Sequence, residues 1–180
     1  MKGVVFTEFL DMVEDKFGYD MVDTLLDSNE LPSGGVYTAV GTYQHSEMVQ
    51  LVTTLSQESK LDVPTLLKTY GKHLFTRFKA GYPAFINAAD NAFDFLESIE
   101  HYIHVEVRKL YPDAELPSFE TNRPQEGTLE MIYKSERKMA DFAEGLIEGT
   151  LEHFQMQGSI LREKIKPDGS EVRFTIKKEA

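Results

Sequence analysis

The spacing of apolar residues changes about two-thirds of the way along the chain. Before Tyr111, apolar residues recur every three or four positions, which is typical of amphipathic helices. From Thr128 onward they alternate with polar residues, as in Leu129, Met131 and Tyr133, which is typical of a strand with one buried face. Because the strands come late and do not alternate with helices, the order predicts an α+β fold. A mainly helical N-terminal part would pack against a C-terminal antiparallel sheet.

Turn and capping residues place the predicted elements. Ser46 and Asp62 are predicted N-caps of two helices. A long helix is predicted over 91–111 and a last one over 138–155. Residues 160–165 and 172–176 flank the sequence Pro167-Asp168-Gly169-Ser170, which predicts a hairpin.

Composition excludes several classes of protein. The chain has 180 residues, enough for one domain spanning 1–180, and a formal net charge of −11, which disfavours nucleic acid and anionic membranes. The absence of cysteine excludes disulfides, thiolate catalysis and iron–sulfur clusters. Acidic Glu8 and Asp11 interrupt the first apolar run, and no apolar run reaches about 18 residues, so a cytoplasmic protein is expected.

No sequence motif points to an enzyme. A P-loop, a dinucleotide-binding fingerprint, a nucleophile elbow and an HExxH pattern are all absent from the sequence.

His104 is a candidate ligand for a metal or for haem iron. It lies at the edge of the apolar seam of the predicted long helix, beside Ile103 and near Val107. A neutral imidazole on an apolar face can ligate iron, but a hydrogen-bonded core histidine is the more common case. A clamp formed with His101 at i, i+3 would lack a third ligand.

A second candidate site follows the strand that begins at Thr128. If that strand continues to Arg137, then Tyr133, Ser135 and Arg137 share one face, because side chains alternate. That face offers a phenol, a hydroxyl and a guanidinium fork, all suited to a carboxylate or phosphate. The alternative is a strand end with a solvated arginine.

Apolar positions on three helices could belong to a ligand pocket or simply to the core. Phe9, Leu74 and Phe142 lie on apolar faces, and core is the stronger interpretation. Gly145 and Gly149, at i, i+4, permit close approach by another helix or by a flat ligand.

Five segments, in order, resemble the H-NOX (haem nitric oxide/oxygen-binding) family, which includes the sensor domain of soluble guanylate cyclase. They are MKGVVFTEFLDMVE at the N-terminus, His104 within YIHVEVRKLYP, Leu116-Pro117-Ser118-Phe119, the Y-x-S-x-R pattern from Tyr133 to Arg137, and GLIEG at 145–149. The resemblance covers essentially the whole chain. Y-x-S-x-R alone is short, but its combination with the upstream histidine and proline is specific.

The resemblance implies a role for each matching residue around a haem b buried between the helical part and the sheet. His104 corresponds to the proximal ligand of the iron. The residues that correspond to propionate-binding positions are Tyr133, Ser135 and Arg137, Pro117 corresponds to a proline that packs on the haem, and Leu74, Phe142, Phe9 and Val5 correspond to the distal gas pocket.

One departure from the family bears on gas selectivity. Members that bind oxygen stably carry a tyrosine where this chain has Phe142. Because bound oxygen needs a hydrogen-bond donor more than nitric oxide or carbon monoxide does, the resemblance implies binding of the latter two and exclusion of oxygen. The absence of cysteine also rules out the cysteine-containing zinc site of some bacterial relatives.

The implied function is a non-catalytic gas sensor. Since the sequence ends at Ala180 without an output domain, its partner is expected to be a separate protein, a histidine kinase or a cyclic-di-GMP enzyme. The competing hypothesis is a haemless α+β domain that binds a carboxylate- or phosphate-bearing metabolite at Tyr133, Ser135 and Arg137.

Overall fold

In the computed structural model, which describes residues 1–179, a helical region precedes a four-stranded sheet, and one further helix lies between the second and third strands. The helices are α1 (Gly3–Phe17), α2 (Tyr19–Asp27), α3 (His45–Ser59), α4 (Val63–Gly81), α5 (Pro83–Asn87), α6 (Ala92–Ser98), α7 (His104–Leu110) and α8 (Ala140–His153). The strands are β1 (Ser118–Gln125), β2 (Thr128–Lys134), β3 (Gly158–Lys164) and β4 (Glu171–Lys178).

The sheet is antiparallel throughout, with strand order β1-β2-β4-β3. The predicted hairpin is confirmed as β3 and β4. In its turn, Asp168 accepts hydrogen bonds from the amide and the hydroxyl of Ser170, and Gly169 adopts φ 80°. The predicted α+β class is therefore confirmed.

Strand β1 was not among the predicted elements, because the prolines between Tyr111 and Thr128 favour extended or turn conformations over a paired strand. Pro124 lies within β1, where the pairing with β2 shifts between Asn122 and Gln125. A proline without an amide hydrogen is tolerated there because β1 is an edge strand and its pairing is irregular at this point.

One of the two predicted N-caps is confirmed. Asp62 accepts a hydrogen bond from the Thr65 amide at 2.8 Å and caps α4. The prediction for Ser46 was wrong, because α3 begins at His45 and Gln44 holds the cap position. The Ser46 hydroxyl instead donates to the Gln44 side chain at 3.4 Å.

The long helix predicted over 91–111 is interrupted by a π-helical turn at Ile99–Ile103, between α6 and α7. The His104 amide donates to the carbonyl of Ile99, five residues earlier. The wider turn rotates the helix face, so His104 is buried at 8% exposure. Regular helical spacing predicts that Leu110 continues the buried seam of this helix, but Leu110 is 52% exposed, so that prediction was wrong.

Helices α4 and α8 pack with their backbones nearly in contact. A Cβ atom on Gly145 would lie 2.1 Å from the carbonyl oxygen of Lys68, and one on Gly71 would lie 2.4 Å from that of Phe142. Gly145 therefore accommodates a helix rather than a flat ligand. Leu146, on the same helix, packs against both apolar clusters of the core, one under the sheet and one among α1, α3 and α4.

Candidate functional site

His104 is a buried, neutral imidazole with one nitrogen held in place. Its Nδ1 lies 3.2 Å from Oε2 of Glu100, one turn earlier. Burial lowers the pKa of His104, against the opposing effect of the Glu100 carboxylate. An imidazole that donates Nδ1–H to a carboxylate keeps the lone pair on Nε2, which is the form that binds a metal.

Aromatic side chains connect His104 to the sheet. The Phe119 ring lies 5.9 Å from the imidazole and 5.8 Å from the Tyr133 ring, centroid to centroid. Pro117 is partly buried in the segment between α7 and β1, two residues before Phe119. Two predicted site residues, His104 and Tyr133, thus flank the same phenylalanine.

Tyr133, Ser135 and Arg137 lie together, but not on one strand face as predicted. Strand β2 ends at Lys134, and a turn follows in which the Ser135 hydroxyl accepts a hydrogen bond from the Arg137 amide at 3.2 Å. The Ser135 amide donates to the carbonyl of Ser170 at 2.9 Å. The turn, rather than strand alternation, brings the three side chains together.

The polar ends of Tyr133 and Arg137 have defined partners. The Tyr133 hydroxyl accepts a hydrogen bond from the Met139 amide at 3.0 Å, and burial raises the pKa of this tyrosine, opposed by the Ser135 hydroxyl and that amide. The Arg137 guanidinium donates from Nη2 to the Glu115 carboxylate at 2.7 Å and from Nη1 to the Glu115 carbonyl. The Arg137 side chain is only 18% exposed, whereas that of Glu115 is 84% exposed. Arg137 is therefore not the freely solvated arginine of the alternative interpretation.

The four predicted distal residues belong to one apolar cluster at the contact of α1, α4 and α8. Phe9 and Leu74 are buried in it, and Val5 and Phe142 pack against it. Core packing and a ligand pocket both fit this arrangement. The cluster nevertheless brings all four residues to one region of the molecule.

Tyr70 belongs to the same cluster, and its importance was missed in the sequence. It is fully buried, with its ring 4.8 Å from Phe142 and 5.3 Å from Phe9. Its hydroxyl donates to the main-chain carbonyl of Val5, and burial raises its pKa well above the usual value. Helical spacing predicts that Tyr70 shares an apolar face with Leu74, one turn later, but its hydrogen bond to Val5 is apparent only in the fold.

The paired-histidine metal clamp gains no support from the geometry. His101 is exposed, whereas His104 is buried. Over residues 1–179, no three His, Asp or Glu side chains converge in a way that could hold a metal ion. A haem iron requires only one protein ligand on its proximal side, so His104 alone fits that group.

Comparison with known proteins identifies the class to which this fold and site belong. Residues 2–161 match the model of the family described as haem-NO-binding. The chain therefore belongs to the haem-NO-binding (H-NOX) family of haem-based sensors. None of the curated proteins searched matches it.

Solved structures of H-NOX proteins match the whole fold. The unliganded Fe(II) protein from K. algicida is 49% identical, with a TM-score of 0.95 and coverage of 100% of this chain and 97% of that one. An H-NOX from Shewanella woodyi in the Fe(II)CO state is 43% identical, with a TM-score of 0.85 and coverage of 99% and 95%. An H-NOX from S. oneidensis in the Fe(II)NO state is 26% identical, with a TM-score of 0.92 and coverage of 100% of both chains. The predicted family is therefore confirmed.

The searched part of the chain, residues 1–179, contains no helix with the length and apolar character needed to span a bilayer.

Proposed function

We propose that this chain is a non-catalytic gas sensor that binds nitric oxide and carbon monoxide at ferrous haem b, excludes oxygen and signals to a separate protein. The observation that carries the proposal is His104. It is buried and neutral, and its Nδ1 is engaged by Glu100 while its Nε2 keeps a lone pair for iron. Haem would supply a ferrous iron that His104 would hold and that would bind the gas.

Four residues would hold the cofactor besides His104. Tyr133, Ser135 and Arg137 offer a hydroxyl pair and a guanidinium fork, which is the donor set that two propionate carboxylates require. Arg137 already accommodates a carboxylate, that of Glu115, so its fork is oriented for this chemistry. Pro117 would pack against the macrocycle from the segment before β1.

Gas selectivity would follow from the distal cluster. Val5, Phe9, Leu74 and Phe142 present no hydrogen-bond donor, and the Tyr70 phenol beside Phe142 donates to the backbone. Bound oxygen draws electron density from iron and is stabilised by a donor, whereas nitric oxide and carbon monoxide depend on one less. A cluster without a free donor therefore disfavours oxygen.

Signalling would begin at the π turn that precedes His104. A shift of His104 would move α7, because His104 is its first residue. The outward side of this segment carries Tyr102 at 38% exposure, Val105 at 41% and Leu110 at 52%. A single domain over 1–180, acting in the cytoplasm, would present this surface to a histidine kinase or a cyclic-di-GMP enzyme.

The visible absorption spectrum of the purified protein tests this proposal. A sensor of this class shows a Soret band that shifts on reduction and again with nitric oxide or carbon monoxide, but not with air. A colourless protein that fails to take up added haem would overturn the proposal. It would support instead the haemless domain that binds an anionic metabolite near Arg137.

A further inference from the structure

We infer that Glu100 is a positioning residue that fixes the orientation and tautomer of His104 and ties that histidine to the edge of the sheet. The inference rests on the proposed function, since its consequence is the strength of the bond between His104 and haem iron. Glu100 lies in the π turn, four residues before His104, and no feature of the sequence had marked it.

A single carboxylate oxygen serves two donors from different parts of the fold. Oε2 of Glu100 lies 3.2 Å from His104 Nδ1 and accepts a hydrogen bond from the Phe119 amide at 3.1 Å. The other oxygen, Oε1, lies 4.0 Å from an Arg108 guanidinium nitrogen. Arg108 therefore lies near the other oxygen, so Oε2 remains available to the His104 imidazole and to the Phe119 amide at the start of β1.

This arrangement determines which imidazole nitrogen carries the hydrogen. A carboxylate accepts but does not donate, so it selects the tautomer with hydrogen on Nδ1 and the lone pair on Nε2. The same hydrogen bond makes Nε2 a stronger electron donor, because the partly withdrawn Nδ1 proton leaves more negative charge on the ring. A bond from Nε2 to haem iron would therefore be stronger with Glu100 than without it.

The second hydrogen bond gives Glu100 a mechanical role. Phe119 is in β1, an edge strand, and its ring contacts the imidazole while its amide contacts Glu100. A displacement of His104 along its helix would strain both contacts with the same residue. Glu100 therefore couples motion of the proximal histidine to the sheet as well as to α7.

The first test uses haem-free protein, so that it does not depend on the cofactor. Imidazole ¹⁵N chemical shifts at a pH where His104 is neutral report the tautomer. We expect hydrogen on Nδ1 in the wild type, a mixture shifted towards Nε2–H in Glu100→Ala, and an intermediate result in Glu100→Gln, whose amide oxygen still accepts. Glu106→Gln, on α7 and paired with Lys109, is the matched control and should resemble the wild type.

The second test uses the ferrous haem protein and its iron–histidine stretching vibration. The frequency should fall from wild type to Glu100→Gln and further to Glu100→Ala, and haem loss should become about tenfold faster in the latter. Glu106→Gln should leave both unchanged. Identical frequencies and tautomers in all four proteins would overturn the role of Glu100.

The two tests separate this inference from the function on which it rests. A wild type that takes up no haem defeats the proposed function, and the ¹⁵N result then still decides whether Glu100 sets the tautomer. A wild type that binds haem through His104 but is indifferent to Glu100 defeats only the inference. Glu100→Gln keeps the size of the side chain and an acceptor for the Phe119 amide. It therefore tests the role of the carboxylate even if Glu100→Ala does not fold.

Discussion

The hydroxyl of Tyr70 donates its hydrogen bond to the main-chain carbonyl of Val5 and not into the apolar cluster around it. The lack of a free hydrogen-bond donor near Phe142 therefore depends on this hydrogen bond as well as on apolar side chains. The family resemblance implied a distal pocket with no donor, because Phe142 and Leu74 are apolar. The structure places a phenol beside Phe142 at a ring distance of 4.8 Å, but its hydrogen is already used.

Oxygen affinity should therefore rise when a free donor is added. Phe142→Tyr should raise the oxygen affinity of the ferrous protein about tenfold, since one neutral hydrogen bond contributes roughly 0.5–1.5 kcal/mol. Adding Leu74→Asn should increase the gain by holding the new phenol in place. The measurement is an oxygen titration of the reduced wild type, the single variant and the double variant.

Tyr70→Phe is the matched control for that experiment. Because the Tyr70 hydroxyl is committed to Val5, its removal should leave the response to oxygen unchanged. A wild type that already forms a long-lived oxygen complex would contradict the exclusion of oxygen. A double variant with no gain would show that Phe142 or Leu74 does not face the gas.

Haem retention should depend on Arg137 and not on its neighbour. Arg137→Ala removes a guanidinium with an 18% exposed side chain, and the loss of a charge-assisted hydrogen bond costs roughly 1.5–3 kcal/mol. Lys138→Ala is the control, because Lys138 is exposed and pairs with Asp168 in the hairpin turn. The measurement is the rate of haem transfer to a scavenger protein, and equal rates in both variants would place Arg137 outside the site.

The contact between α4 and α8 should not tolerate a side chain at Gly145. Gly145→Ala would place a Cβ atom 2.1 Å from the Lys68 carbonyl oxygen, and overpacking of this kind costs roughly 1–3 kcal/mol or more. Gly81→Ala, at the end of α4 with open space around the new Cβ, is the control. Urea unfolding should show a lower midpoint for the first variant alone. A stability like that of the wild type would mean that the helices separate at little cost.

Acid should weaken the hairpin turn through Asp168. The Ser170 side chain, the Ser170 amide and Lys138 hold the pKa of this carboxyl below its ordinary value. A lowered pKa in the folded state stabilises the protein above the unfolded value of about 3.9, and this stabilisation is lost as the pH falls below it. Asp168→Asn should therefore lower stability at neutral pH and flatten the decline below about pH 4. Parallel pH profiles of unfolding in wild type and variant would contradict this.

The parts of the fold predicted from sequence are those governed by local pattern. The change of apolar period identified the helical part and the sheet, and the residues around Gly169 identified a turn. The π turn at Ile99–Ile103 was not predicted, because the apolar residues in and around it keep the three- and four-residue spacing of an ordinary helix. Strand β1 was not predicted, because Pro124 argues against a strand in general. A proline is tolerated only where the strand lies at the edge of a sheet, and the sequence does not show that β1 does.

The same distinction between local pattern and the surrounding fold applies to the candidate site. His104 and Arg137 were recognised by residue type and by resemblance, although the common face expected of Tyr133, Ser135 and Arg137 proved to be a turn. Glu100 lies one helical turn before His104, a spacing at which side chains can pair, but its second partner, the Phe119 amide, is apparent only in the fold. The polar contact of Tyr70 is likewise apparent only in the fold, because Val5 is distant in sequence.

The most direct test of the central claim is the absorption spectrum of His104→Gly with and without added imidazole. His101→Gly, an identical change at an exposed position three residues away, is the control. The account predicts that His104→Gly loses the wild-type ferrous and nitric oxide spectra and regains an imidazole-ligated spectrum when imidazole is supplied, while His101→Gly behaves like the wild type. A His104→Gly protein that keeps the wild-type haem spectrum without imidazole would contradict the assignment of His104 as the ligand of the iron.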